Sequence, residues 1–219
     1  VADIKRKIKA FIFDLDGVLT DTAEFHYQSW KLLCEEQGIP FNRKINEKLR
    51  GVSRKESLEI ILGDRKVDPE KFAEMLERKN NFYRESIKNI SKKDLFPGVE
   101  KILEELKSKG IKLALGSSSK NAHLVIEGLG IKDYFEIIAD GNSVQKAKPA
   151  PDVFLFAAEK LGVDPENCVV VEDAEAGVEA ALAAGMFVVG IGPEERVGKS
   201  HIHYPEISKV KFEEIYARF

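Results

Sequence analysis

Two cysteines in 219 residues, Cys34 and Cys168, are too few for a disulfide framework, and neither lies in a C-x-x-C or His-rich spacing of a zinc site. Such sparse thiol usage fits a reducing cytosol, so a cytoplasmic location is expected. No apolar run approaches the roughly 18 residues of a bilayer span, and the start VADIKRKIKAF lacks the apolar centre of a signal peptide. A membrane partner is not expected. Charge of one sign is missing too: 34 Lys plus Arg against 37 Asp plus Glu leave a net charge of −3, too weak a field to gather nucleic acid. The basic stretch RKNNFYRESIKNISKK is interrupted by Glu85 and reads as a solvated helix face. The chain is long enough for one large domain or a core with a smaller partner, and a sizeable apolar core is available.

Five short runs rich in β-branched residues have the continuous apolar character of strands buried on both faces of a parallel sheet: 9–15, 111–117, 134–140, 167–173 and 186–192. Helical patterns separate them. Pro97 opens one with Val99, Ile102, Leu103 and Leu106 on a single face and Gly110 as its stop; others span about 119–129, 151–161 and 174–184, the last two closing at Gly162 and Gly185. Residues 200–219 add a short strand and a helix. The alternation predicts an α/β fold, a doubly wound parallel sheet with a Rossmann-like core. Between Glu24 and Ser91 the pattern breaks into amphipathic helices with no buried strand. This reads as an inserted α-helical cap domain, giving a discontinuous core of residues 1–20 and 92–219 and a cap of residues 21–91. Trp30, Leu32 and Leu33 are assigned to packing inside that cap.

The first apolar run, in FIFDLDGVLTDT, stops at Asp14 and Asp16. Ligands of open parallel sheets bind beyond the carboxyl ends of the strands, and alternate residues point the same way, so both carboxylates can face one ligand. In isolation, a strand end followed by an Asp-Gly turn would account for the pair. Other strand ends supply partners, however. Ser117, Ser118 and Ser119 stand at the start of a helix, where hydroxyls and free N–H groups suit phosphate. Glu172 and Asp173 end the fourth strand, where they could also cap the helix that follows. Lys148, in KAKPAPD, contributes a cation. Four carboxylates at one sheet edge would repel without a cation, and hard oxygen ligands favour Mg²⁺. With a phosphoryl group neutralised by Mg²⁺, Lys148 and a Ser hydroxyl, Asp14 can form an aspartyl-phosphate while Asp16 moves protons. GPEERVGKS, from Gly192 to Ser200, imitates a nucleotide-binding loop, but five residues separate its glycines where four are required and Pro193 lacks an N–H. It is read as an ordinary loop.

DLDGVLTDT, the serine after the second strand, KPAPD and VVVED together resemble the four motifs of the haloacid dehalogenase superfamily of phosphotransferases, in order. Within that superfamily the chain is similar, cap included, to sugar-phosphate mutases through DTAEFHYQSWKLL, GVSRKESL, ERKNNFY, SSSKN and AKPAPDVF. The resemblance implies Asp14 as nucleophile, Asp16 as general acid/base, and Mg²⁺ held by Asp14, the Asp16 backbone carbonyl, Glu172 and Asp173. Ser117 and Lys148 would bind the transferring phosphate. Arg54 would grip the other phosphate, with Lys79, Gly51, Val52 and Ser53 framing the sugar and His26 coupling cap closure to Asp16. Ser118, Ser119, Lys120 and Asn121 would touch substrate from the core. Arg50, Ser118 and Ala174 depart from the mutase pattern; these changes leave the chemistry intact and leave open which sugar phosphate is preferred. The implied reaction interconverts β-D-glucose 1-phosphate and glucose 6-phosphate, with glucose 1,6-bisphosphate as intermediate and activator. A sugar-phosphate phosphatase is the alternative, and a non-catalytic phosphosugar-binding regulator a third. Small sugar phosphates are the expected partners, and the chain is expected to be a monomer.

Overall fold

Ala10 and Ile12 turn to one side of their strand and Phe11 and Phe13 to the other, and the two pairs end in different apolar cores. That is how a central strand covered on both faces behaves. The computed structural model describes residues 7–219. Its sheet is six-stranded and wholly parallel, ordered β3-β2-β1-β4-β5-β6. The strands are β1 (Ala10–Phe13), β2 (Lys112–Gly116), β3 (Ile137–Ala139), β4 (Cys168–Glu172), β5 (Phe187–Ile191) and β6 (Ile202–Tyr204). Sequence and structure agree on every strand, the structure trimming each to its hydrogen-bonded centre. The chain builds outward from β1 through β2 to β3, then crosses back to place β4, β5 and β6 on the other side of β1, so the end of β1 is the switch point where an α/β sheet opens a crevice.

Four helices lie between β1 and β2 before the core resumes: α1 (Ala23–Glu36), α2 (Arg43–Glu47), α3 (Arg54–Leu62) and α4 (Pro69–Ser86). The core then adds α5 (Val99–Ser108), α6 (Ala122–Gly128), α7 (Asp152–Leu161), α8 (Glu175–Ala183), α9 (Glu194–Val197) and α10 (Phe212–Tyr216). Helices α5, α6 and α10 cover the Phe11 face of the sheet, and α7 and α8 the Ile12 face. Asp68 caps α4 with Pro69 in its first turn, as an Asp-Pro start dictates.

Helices α1 to α4 carry their own apolar cluster around Trp30, Leu33, Leu58, Ile61 and Met75. Leu32, in contrast to the sequence expectation, is 44% exposed, because one turn of α1 cannot bury both Leu32 and Leu33 against one partner. Tyr83, Ile87 and Ile90 leave this cluster and join the core beneath the sheet's Phe11 face. The two segments joining the helices to the core run side by side: Phe96 N–H donates to the Leu19 carbonyl at 3.0 Å and Thr20 Oγ1 to the Asp94 carbonyl at 2.6 Å. Cys34 and Cys168 are both buried, and burial pushes their thiols up to about 11 and about 12.

Candidate active site

Asp14 extends the ladder by one residue, its N–H donating to the Val171 carbonyl at 2.9 Å. Its carboxylate thus stands beside those of Glu172 and Asp173 at the end of β4. One oxygen from each of the three lies within 4.8 Å of the others, and all three residues are buried. Beneath them Lys148, 1% exposed, donates to Asp14 Oδ1 at 2.7 Å, Glu172 Oε1 at 2.7 Å and the Gly116 carbonyl at 2.9 Å. An ammonium has three protons, so all are used. Burial opposes the charge on Lys148, but Asp14 and Glu172 outweigh it and raise its pKa.

One ammonium cannot balance this much negative charge. Burial first, then crowding by Glu172, Asp16 and Asp173, raises Asp14 well above the usual carboxylate range against the pull of Lys148. Burial and Glu172 push Asp173 up to about 7 despite two nearby arginines. Converging hard oxygens that resist ionising together are the donor set a divalent cation such as Mg²⁺ suits. The backbone tightens around them. Gly17, at φ 85°, has no room for a side chain, since a Cβ there would meet Asp173 Oδ2 at 2.2 Å; one on Gly177 would meet Glu172 Oε1 at 1.7 Å.

Asp16 stands two residues on, at the rim. Thr22 Oγ1 donates to its Oδ1, and His26 Nε2 lies 4.0 Å from its Oδ2. Burial pushes Asp16 up to about 6, with Lys148 and Lys79 opposing; solvent still reaches 31% of the side chain, which limits the effect. The serines after β2 line the opposite wall. Ser117 Oγ accepts from Ser119 N–H at 3.1 Å and Ser119 Oγ from Asn121 N–H at 3.2 Å, folding the loop tightly before α6, which starts later than the sequence pattern implies.

The helical insert closes the crevice. Gly51, Val52, Arg54, His26 and Lys79 line the same cavity as Asp14, Asp16, Ser117 to Asn121 and Asp173. Lys79, 2% exposed, is within 2.9 Å of His26 Nδ1 and lies 4.9 Å from the ring centres of both Trp30 and Tyr83. Burial, then Arg54, lowers it well below the usual lysine value, with Asp16 opposing. His26 stacks on Tyr83 at 4.1 Å, and burial with Lys79 and Arg54 keeps its imidazole neutral at pH 7.

Most of the sequence-derived residues therefore share one cavity, with differences in what they touch. Ser53 faces α3, closing a capping box with Glu56 in which Ser53 Oγ accepts from Glu56 N–H at 3.2 Å. Ser118 Oγ donates to the Gly51 carbonyl at 3.0 Å, across the gap between core and insert. The three residues departing from the mutase pattern also meet at this gap. Arg50 pairs with Asp173 at 3.1 Å, and a Cβ on Gly51 would lie 3.0 Å from that of Ala174. Asn80 and Asn121 are joined at 2.9 Å, and Arg196 Nη1 reaches Asp173 Oδ2 at 3.4 Å. Sequence reasoning missed Asn80, Thr22, Tyr83 and Arg196. Trp30, assigned to packing alone, also lines the cavity.

Residues 8–185 match the family model described as haloacid dehalogenase-like hydrolase. The chain belongs to that family. A β-phosphoglucomutase of Bacillus subtilis (strain 168) is 47% identical over 189 residues, covering 84% of each chain. A phosphorylated carbohydrates phosphatase of Thermotoga maritima is 33% identical over 214 residues, covering 95% of this chain and 96% of its own. The crystal structure of a Clostridium difficile β-phosphoglucomutase superposes with a TM-score of 0.93 at 44% identity, covering 96% of both chains. Among the described residues no helix is long and apolar enough to cross a membrane.

Proposed function

We propose that this haloacid dehalogenase-family chain is a Mg²⁺-dependent β-phosphoglucomutase, interconverting β-D-glucose 1-phosphate and glucose 6-phosphate through an aspartyl-phosphate and glucose 1,6-bisphosphate. The observation that carries the reading is one cavity bounded by Asp14 and Asp16 below and by Arg54 and Lys79 above. A cavity with a nucleophile at one end and cations at the other suits a substrate bearing two phosphates.

In this reading Asp14 attacks phosphorus, the bond from phosphorus to the sugar oxygen breaks, and Asp16 protonates the leaving oxygen. The proton then returns to Asp16 from the hydroxyl that attacks the aspartyl-phosphate. Lys148, bonded to Asp14 and Glu172, holds Asp14 oriented and, with Ser117, binds the transferring phosphate. Asp14, Glu172, Asp173 and the Asp16 carbonyl would hold Mg²⁺, whose contribution is to neutralise charge on the phosphoryl oxygens. Residues 21–91 act as a cap over a core of 1–20 and 92–219. Its closure keeps water from the aspartyl-phosphate until a sugar arrives.

The 33% identical phosphatase makes hydrolysis the rival reading, since the same floor serves water as the acceptor. The deciding assay supplies β-glucose 1-phosphate with a trace of the bisphosphate. Accumulating glucose 6-phosphate supports the mutase, and accumulating free phosphate supports the phosphatase. Sugar-phosphate binding with Mg²⁺ present but no transfer would leave only a non-catalytic binder. Asp14→Asn is expected to lose turnover by at least about 10⁴-fold.

A further inference from the structure

Asp173 carries an arrangement that the reaction above does not use. Two guanidiniums from different parts of the chain converge on one of its oxygens. Arg50 Nη1, from the segment between α2 and α3, lies 3.1 Å from Oδ2, and Arg196 Nη1, from α9, lies 3.4 Å from the same atom. Arg50 is pre-aimed, its Nε held by Glu47 Oε2 at 3.2 Å. Asp173 is 5% exposed and backed by Gly17, so it has little room to turn away. A carboxylate oxygen has two lone-pair directions, and both on Oδ2 are taken. Only Oδ1 is left for a cation, which would then sit within several ångströms of two positive charges.

We propose that Arg50 and Arg196 are positioning residues that clamp Asp173 and weaken divalent-cation binding at the carboxylate cluster, Arg50 doing so only while the cap is closed. The proposal rests on reading that cluster as a cation site. Its two halves differ in origin. Arg196 belongs to the core and bears on Asp173 in any cap position. Arg50 belongs to the cap, so closure and cation binding oppose each other through it. Linkage makes the opposition reciprocal: the factor by which closure weakens the cation is the factor by which the cation weakens closure.

The test is titration of Mg²⁺ into the full chain by calorimetry, for the wild type, Arg50→Gln, Arg196→Gln and Arg50→Lys. Removing either guanidinium should tighten Mg²⁺ binding by about tenfold, because a positive charge beside the cation has gone. Arg50→Lys keeps the charge and should stay close to wild type. A donor–acceptor fluorescence pair across cap and core supplies a second readout. Mg²⁺ should open the wild type and Arg196→Gln, and should move Arg50→Gln much less. Unchanged or weaker Mg²⁺ binding in both Gln variants overturns the clamp, as does an equal Mg²⁺-driven opening in Arg50→Gln and wild type. If the wild type takes up no Mg²⁺, the cation-site reading falls and the clamp with it. Circular dichroism confirms folding, and the core variant Arg196→Gln tests the clamp even if Arg50→Gln fails to fold.

Discussion

Among the described residues two lysines are buried, and they live under opposite conditions. Lys148, 1% exposed, has two carboxylates and a carbonyl around its ammonium, and its charge is reinforced. Lys79, 2% exposed, faces an imidazole, two aromatic rings and Arg54, and its charge is disfavoured. The first is a fixed counterion to groups that are always present. The second is a cation kept in a site that gains when an anion arrives. A binding cation that is already satisfied has nothing to offer a ligand; one held at an energetic disadvantage does.

Substitutions can break that contrast. Lys148→Met strands two buried carboxylates and should cost about 3–5 kcal/mol in denaturant unfolding, besides abolishing turnover. Lys79→Met removes a buried charge that no carboxylate pairs within ion-pair distance among the described residues, so unfolding stability should hold or rise by about 1 kcal/mol. Its deficit should appear in KM for the sugar phosphate, raised at least about tenfold, rather than in kcat. Equal destabilisation by both variants would erase the distinction.

Proton linkage sharpens the comparison at the floor. Asp16 and Asp173 stand at about 6 and about 7 when folded, above their unfolded values, so the folded chain holds more protons in between. Without added cation, the contribution of these two carboxyls to unfolding stability should therefore fall as pH rises from about 4 to about 7, with the lowered His26 opposing it below its unfolded value. Mg²⁺ should stabilise more at about pH 8 than at about pH 5, read as thermal midpoints, because at low pH protons already neutralise the cluster. The smallest effect belongs to the gap between core and cap. Ser118→Ala loses one hydrogen bond, about 0.5–1.5 kcal/mol, and should leave sugar selectivity unchanged since its hydroxyl is committed to Gly51.

The floor of the site was legible because its residues follow strands, and strands announce themselves by apolar runs with fixed ends. Asp14, Ser117 and Glu172 are each read from where such a run stops, and the parallel register then sets them side by side. The lid resisted the same treatment. Whether Ser53 caps a helix or frames a sugar depends on which way its rotamer turns, and Ser118 needs the position of a carbonyl 67 residues away. Arg196 sits on α9, a single helical turn inside the stretch that the sequence reads as an ordinary loop, and nothing in its neighbours points to Asp173. Leu32 and Leu33 are indistinguishable by composition, so only the helix phase against α4 separates the exposed one from the buried one.

Cys34 and Cys168 are sealed in separate cores, with thiols too reluctant to ionise for alkylation at neutral pH. The wild-type background should therefore react slowly with maleimide dyes, which a labelling time course of the unmodified chain checks. Lys55→Cys on α3 and Lys101→Cys on α5, both at exposed positions, would be the sole reactive handles. With both native sulfurs left in place, such a pair would serve single-particle recordings that test whether the helical insert moves against the core.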